Sequence, residues 1–175
     1  MQLNLTKPLI IFDLEATGVN VGSDRIVEIA MLKVFPDGHE EFRRHLINPT
    51  IPMPEIVIAI HGITDEMVKD CSPFAARVSE IRDALENCDA VIAHNLSFDM
   101  EMIDTEFERC GMKIKWPDRK ICTVEETTCM KGYRLSLSDL HKELCGMSFE
   151  GAHRAMQDVN ALVRCVEILF DRGFI

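Results

Sequence analysis

Asp13 and Glu15 close an otherwise apolar run, Leu9-Ile10-Ile11-Phe12. In an extended chain residues two apart project to one side, so the two carboxylates stand together and repel. A chain with 29 acidic residues also carries such pairs at solvated strand ends, and Thr17-Gly18 behind this one reads as a tight exit turn. Polar groups gather again in Ala93-His94-Asn95-Leu96-Ser97-Phe98-Asp99, where an apolar strand gives way to a helix whose first turn holds Asp99. Capping by Asn95 or Ser97, with Asp99 complementing the helix dipole, would account for that pattern without chemistry. The third gathering is Gly151-Ala152-His153-Arg154-Ala155-Met156-Gln157-Asp158, with Asp158 beside the apolar stripe of the last helix. A surface acid and an ordinary histidine ahead of a helix are the plain alternatives there.

These stretches supply four carboxylates and one histidine, each at the C-terminal end of a strand or the start of a helix, where sites in α/β proteins commonly form. If they converge, four negative groups cannot all stay ionised without compensating positive charge, and a divalent metal ion is the natural compensation. Hard oxygen ligands without cysteine suit magnesium or manganese rather than zinc. Two such ions roughly 3.5 to 4 Å apart serve in-line phosphoryl displacement by water. His153 is the candidate to take that water's proton, since histidine is the side chain that most readily exchanges a proton near neutral pH.

Positioning these groups falls to elements the pattern defines. The run from Pro8 reads as a strand buried on both faces, and residues 25–35 and 40–47 as a hairpin turning at Pro36-Asp37-Gly38. A proline-containing connection over 48–55 leads through 56–60 to a helix predicted over 72–86, with Ser72-Pro73 as its start. A fourth strand over 90–93, a helix over 97–110 ended by Gly111, a short strand near 120–122 and a helix from Thr123 that stops before Gly132 follow. Residues 135–144 and a helix over 155–170 complete the chain. A strand meander followed by alternating strands and helices implies an α/β fold, a mixed central sheet with helices on both faces.

With 175 residues, 47% of them apolar, the chain suits one globular domain over 1–175. Residues 1–8 are polar around Lys7 and read as no secretory signal, and no apolar stretch approaches a membrane span, which points away from membranes. Seven cysteines without a C-x-x-C pair fit a reduced cytoplasm. A formal charge of −10 argues against a protein that coats duplex nucleic acid through a broad basic face. The stretch 113–134 has a local basic excess, read either as a track for a phosphate backbone or as a solvated face.

On these residues the chain resembles the DEDDh exonucleases, the group that includes the proofreading epsilon subunit of bacterial DNA polymerase III. Asp13-Leu14-Glu15-Ala16-Thr17-Gly18 is similar to that family's first motif, Asn95-Leu96-Ser97-Phe98-Asp99 to its second, and His153 with Asp158 to its third. His61-Gly62-Ile63-Thr64 resembles the segment beside the terminal nucleotide in proofreading relatives, and Arg154 stands where a sister group carries tyrosine. The resemblance implies a ribonuclease H-like fold in which Asp13, Glu15 and Asp158 hold one of two metal ions, Asp13 also reaches the second and Asp99 binds that second ion. It further implies His153 as general base, and Thr17 and Gly18 with nearby amides as the grip on a terminal 3′ hydroxyl. His61, Asn95 and Phe98 are then expected to contact the last bases, although Phe98 with Met102 four residues on also reads as core.

The implied function is metal-dependent hydrolysis from the 3′ end of a strand, single-stranded DNA favoured over RNA, with a polymerase as an open partner. A catalytically silent module of this fold, binding nucleic acid or a polymerase, competes with it; its mark would be a missing ligand, and all five positions are filled. A ribonuclease H-type endonuclease would not be expected to combine the 13–18 motif with His153 and Asp158.

Overall fold

The computed structural model describes residues 6–175. The reading of residues 1–8 therefore falls in large part outside the described residues. Five strands form one mixed sheet: β1 (Leu9–Ala16), β2 (Ile26–Val34), β3 (Glu40–Leu46), β4 (Ala90–Ala93) and β5 (Arg119–Cys122), in the order β3-β2-β1-β4-β5. The first three run as an antiparallel meander, while β4 and β5 lie parallel to β1, which puts β1 at the centre with neighbours of both kinds.

Strand alternation assigns the two faces. Ile10, Phe12 and Leu14 pack on one side with α3 (Val78–Glu86) and α4 (Leu96–Arg109), through Ile81, Leu85, Met102, Ile103 and Phe107. Leu9 and Ile11, with Ala30, Leu32 and Ile92, pack on the other against α7 (Ala155–Asp171), through Ala155, Val159, Leu162 and Val166. Asp13 and Glu15 continue the parity of Leu9 and Ile11 and so belong to the face that α7 covers. Helices α5 (Thr123–Lys131) and α6 (Leu137–Cys145) lead from β5 back to α7, with Leu140 and Leu144 packed on Cys165 and Leu169.

Two features depart from expectation. The passage over 56–60 is part of helix α1 (Glu55–His61), followed by the one-turn α2 (Asp65–Val68). The continuous helix expected over 72–86 is broken: Phe74–Ala76 form a 3-10 turn, and the α-helix begins only at Val78. Phe74 is the reason, since its ring is buried edge-on against Phe107, 5.6 Å between centroids, and the chain must turn again to bury Val78 and Ile81. Among the described residues no helix is long and apolar enough to cross a membrane.

Candidate active site

Where β1 ends beside the amino end of α7, Asp13, Glu15 and Asp158 each offer an oxygen, and these atoms lie within 4.8 Å of one another. They line a cleft of about 330 Å³ walled by Leu14, His94, Ser136 to Ser138, Ala152 and His153. Three carboxylates at that spacing, partly or wholly out of water, are stable only if protonated or bridged by a cation. Burial pushes the Asp13 carboxyl well above the ordinary range, and the charges of Asp99, Asp158, Glu15 and Glu28 push it further. Burial, then Asp158 and Glu28, raises Glu15 to about 8, against a smaller lowering by Arg154. Asp158 is raised less, to about 6, because the amides of His153 and Arg154 and the His153 ring offset part of its burial.

Asp99 stands in the first turn of α4, 3% exposed, with its carboxyl raised by burial and by the charge of Glu15. It acts on Asp13 through its charge while lying outside the close triad. Asn95, in the cap position of α4, adopts a left-handed conformation (φ 72°) and makes no side-chain cap; its Oδ1 instead accepts from Arg134 Nη2 at 2.6 Å. His153 is exposed on the cleft rim and also has positive φ, 66°. That conformation is costly for a residue with a Cβ; of the three such residues in the described chain, His153 lines this cleft and Asn95 directly follows His94 of its wall.

Beside the triad is an apolar notch of about 140 Å³, lined by Glu15, Ala16, Gly18, Val19, Val57, Ile60, His61 and Phe98. Phe98 packs against the core beneath and lines this notch above. His61 is 3% exposed; its Nδ1 accepts from Ile63 N at 3.0 Å, which leaves the proton on a buried Nε2. Thr17 differs from expectation. It is 1% exposed and its hydroxyl donates to Asp24 Oδ1 (2.9 Å) while accepting from Arg25 N (3.1 Å), so the side chain holds the turn and is not free for a ligand. Gly18 follows from the same packing, because a Cβ there would collide with the Asp24 carboxylate.

Three contributors escaped the sequence reading. Glu28, opposite Glu15 in the β1–β2 ladder, is wholly buried. A lone charge in the run Ile26-Val27-Glu28-Ile29-Ala30 is the same anomaly as Asp13 and was legible there. His94 forms the cleft wall, with Nε2 donating to Leu135 O at 3.1 Å and Nδ1 accepting from the Thr123 hydroxyl at 2.9 Å; burial lowers its pKa to about 4. It therefore stays neutral, seats the loop ahead of α6 and is no rival to His153 for proton transfer. Finally, Glu106 on α4 binds Arg25, Arg109 and the amide of Ile26, and Arg109 reaches the carbonyls of Gly22 and Asp24, so the turn after β1 is held from below.

The basic stretch over 113–134 is divided by the topology. Arg119 and Lys120 pair beside Ala90 and Val91 at the starts of the strands, away from the carboxylates, and Lys131 is bound to Glu143 at 3.0 Å. Of that stretch Arg134 bonds Asn95, the residue after His94 of the cleft wall. The cleft is acid-lined.

The model of the RNase T exonuclease family matches residues 10–166, the span that contains every one of these groups. This chain belongs to the exonuclease family. The chain is 33% identical over 156 residues to a PolC-type DNA polymerase III of Pediococcus pentosaceus, which covers 85% of this chain and 10% of that protein. It is 27% identical over 167 residues to the 3′-5′ exonuclease DinG of Staphylococcus epidermidis, covering 93% of this chain and 18% of that one. The chain thus spans only about a tenth to a fifth of these curated relatives. Among solved structures it is similar to exonuclease X in complex with 5′-overhanging duplex DNA, with a TM-score of 0.71, 25% identity and 94% and 93% of the two chains covered. Exonuclease I of E. coli in a zinc-bound complex with single-stranded DNA shares the fold at a TM-score of 0.79 and 18% identity, over 95% of this chain and 41% of that one. As an exonuclease-family fold, the sheet and its flanking helices are ribonuclease H-like.

Proposed function

We propose that residues 1–175 form one exonuclease domain that removes nucleoside monophosphates from the 3′ end of a strand, with single-stranded DNA favoured over RNA, using two magnesium or manganese ions. The observation that carries this reading is the convergence of Asp13, Glu15 and Asp158 within 4.8 Å on the floor of a cleft with His153 on its rim. The donor set fits hard divalent cations, being all carboxylate, partly solvent-open and short of compensating cations. Such ions would supply the positive charge that lets a phosphodiester approach this acidic cleft and polarises its phosphoryl oxygen.

The chain's own groups do the rest. Asp13, Glu15 and Asp158 would hold one ion, and Asp13 with Asp99 the other. His153, exposed and next to Asp158, takes the proton of the attacking water. The notch between Gly18, His61 and Phe98 receives the terminal nucleotide, with the ring of Phe98 against a base and His61 beside it. Asn95, held by Arg134 and one residue beyond His94 of the cleft wall, is the further candidate to contact the last bases. The Gly18 backbone amide, in a turn held in place by Thr17 and Asp24, grips the 3′ hydroxyl, which selects chain ends over internal bonds. The DinG relative, named a 3′-5′ exonuclease, supports the direction of cleavage, and the PolC-type relatives make a polymerase the natural partner. Seven free thiols agree with a cytoplasmic setting.

A time course on 5′-labelled single-stranded DNA, 5′-overhanging duplex DNA and RNA, with magnesium, manganese or chelator, tests the proposal. A metal-dependent ladder shortening from the 3′ end, fastest on single-stranded DNA, is expected. Intact strands under every condition, from folded protein, would favour the silent binding module instead.

A further inference from the structure

Glu28 is 0% exposed, in a strand whose other members on that face, Ala30 and Leu32, pack against α7. Sheet packing has no use for a carboxylate there, yet every oxygen of this one is engaged. Its Oε2 accepts from the backbone amide of Ala155 at 3.1 Å, its Oε1 is paired with Arg44 Nε from β3, and Arg154 Nε stands 3.8 Å from Oε2.

Ala155 is the first residue of α7, and a first-turn amide has no partner within its own helix. The cap residue, Arg154, provides no side-chain cap, so the cap is delivered from the sheet. The other carboxylate at that end is Asp158, whose Oδ2 takes the Arg154 amide at 3.1 Å. Without Glu28, Asp158 would be drawn towards the orphaned Ala155 amide, and the Arg44 and Arg154 guanidinium groups would lose their buried partner beside the acidic cluster.

We propose that Glu28, clamped by Arg44, is a positioning residue that fixes the amino end of α7 and thereby sets the reach of Asp158 to Asp13 and Glu15. This rests on the reading of those three acids as a metal site. Residues known to hold ligands in place from behind commonly change metal affinity or activity 10- to 100-fold when altered.

The test compares Glu28→Asp, which keeps the charge but shortens the reach to Ala155, with Glu28→Gln, which keeps the length and an acceptor for that amide. Calorimetric binding of manganese, amide exchange at Ala155 and the split between kcat and KM on a single-stranded oligonucleotide are read for both variants and the native protein. In Glu28→Asp, manganese affinity should fall about 10- to 100-fold, Ala155 should exchange faster, and kcat should fall while KM stays within about twofold. Glu28→Gln should recover most of the manganese affinity and the Ala155 protection. Native manganese affinity in Glu28→Asp, or equal loss of melting temperature in both variants with manganese binding unchanged, would overturn the inference. If the native protein itself binds no manganese, the metal-site reading fails, and Ala155 exchange still decides whether Glu28 holds α7.

Discussion

Glu15 on β1 and Glu28 on β2 stand directly opposite one another in the antiparallel ladder, so both side chains project to the face that α7 covers. Like charges so placed oppose each other, and Arg44 compensates Glu28 while Glu15 is left to the cluster. The consequence is a folded protein whose stability depends on proton or metal. Glu15 titrates near 8 in the fold against an ordinary 4.5, and Asp158 near 6 against 3.8. At low pH both folded and unfolded chains carry these protons and the shifts have no effect. As pH rises from 4.5 towards 8 the unfolded chain loses the Glu15 proton while the folded chain keeps it, so stability falls across that window. Metal-free protein should therefore melt at a lower temperature at pH 8 than at pH 5, and saturating magnesium should raise the melting temperature more at pH 8, where the acids are free to ligate. Scanning calorimetry at the two pH values, with and without metal, checks both signs.

Removing one member of the triad should separate activity from stability. Asp13→Ala or Asp158→Ala is expected to abolish turnover, and in Asp13→Ala, which orphans no backbone amide, the metal-free melting temperature should stay level or rise because repulsion in a like-charged group is relieved. A fall of many degrees in metal-free buffer would identify the acids as structural.

His153 is exposed on the cleft rim, and truncating its side chain leaves its backbone amide bond to Asp158 in place. His153→Ala should lower kcat by a factor of about 10² to 10⁴, the usual worth of a positioned acid or base, with manganese affinity close to native. Single-turnover rates alongside calorimetric manganese binding distinguish this from loss of the metal.

Phe98 bridges the core and the notch, and a branched aliphatic side chain can replace its packing without its ring. Phe98→Leu should leave the melting temperature nearly unchanged and raise KM for a single strand by a factor of about 5 to 100, the worth of stacking one base. A loss of stability with unchanged KM would make Phe98 a core residue only.

Glu106, 1% exposed, joins Arg25, Arg109 and the amide of Ile26 beneath the turn that follows β1. Glu106→Ala leaves two guanidinium groups and an amide without their shared acceptor and should cost about 3 to 5 kcal/mol, measured by urea unfolding.

The sequence by itself determined the strands, their faces and most of the reactive groups. Alternation fixes that Asp13 and Glu15 share the side of Leu9 and Ile11, and the breaks at Gly111 and Gly132 end α4 and α5 where expected. Local pattern was insufficient where burial of one side chain outweighs helix preference, as at Phe74, and for α1, whose turns are held in part by the seating of His61 under the site. Which hydroxyl is free, which basic residues face the cleft and which acid opposes Glu15 were decided only by tertiary structure. Thr17 meets Asp24 through a turn, Arg119 lies at the far end of the sheet through the parallel register of β4 and β5, and Glu28 meets Ala155 across 127 residues of chain. Residue type and local periodicity set what a segment can offer, whereas strand register and helix docking set what each offered group meets.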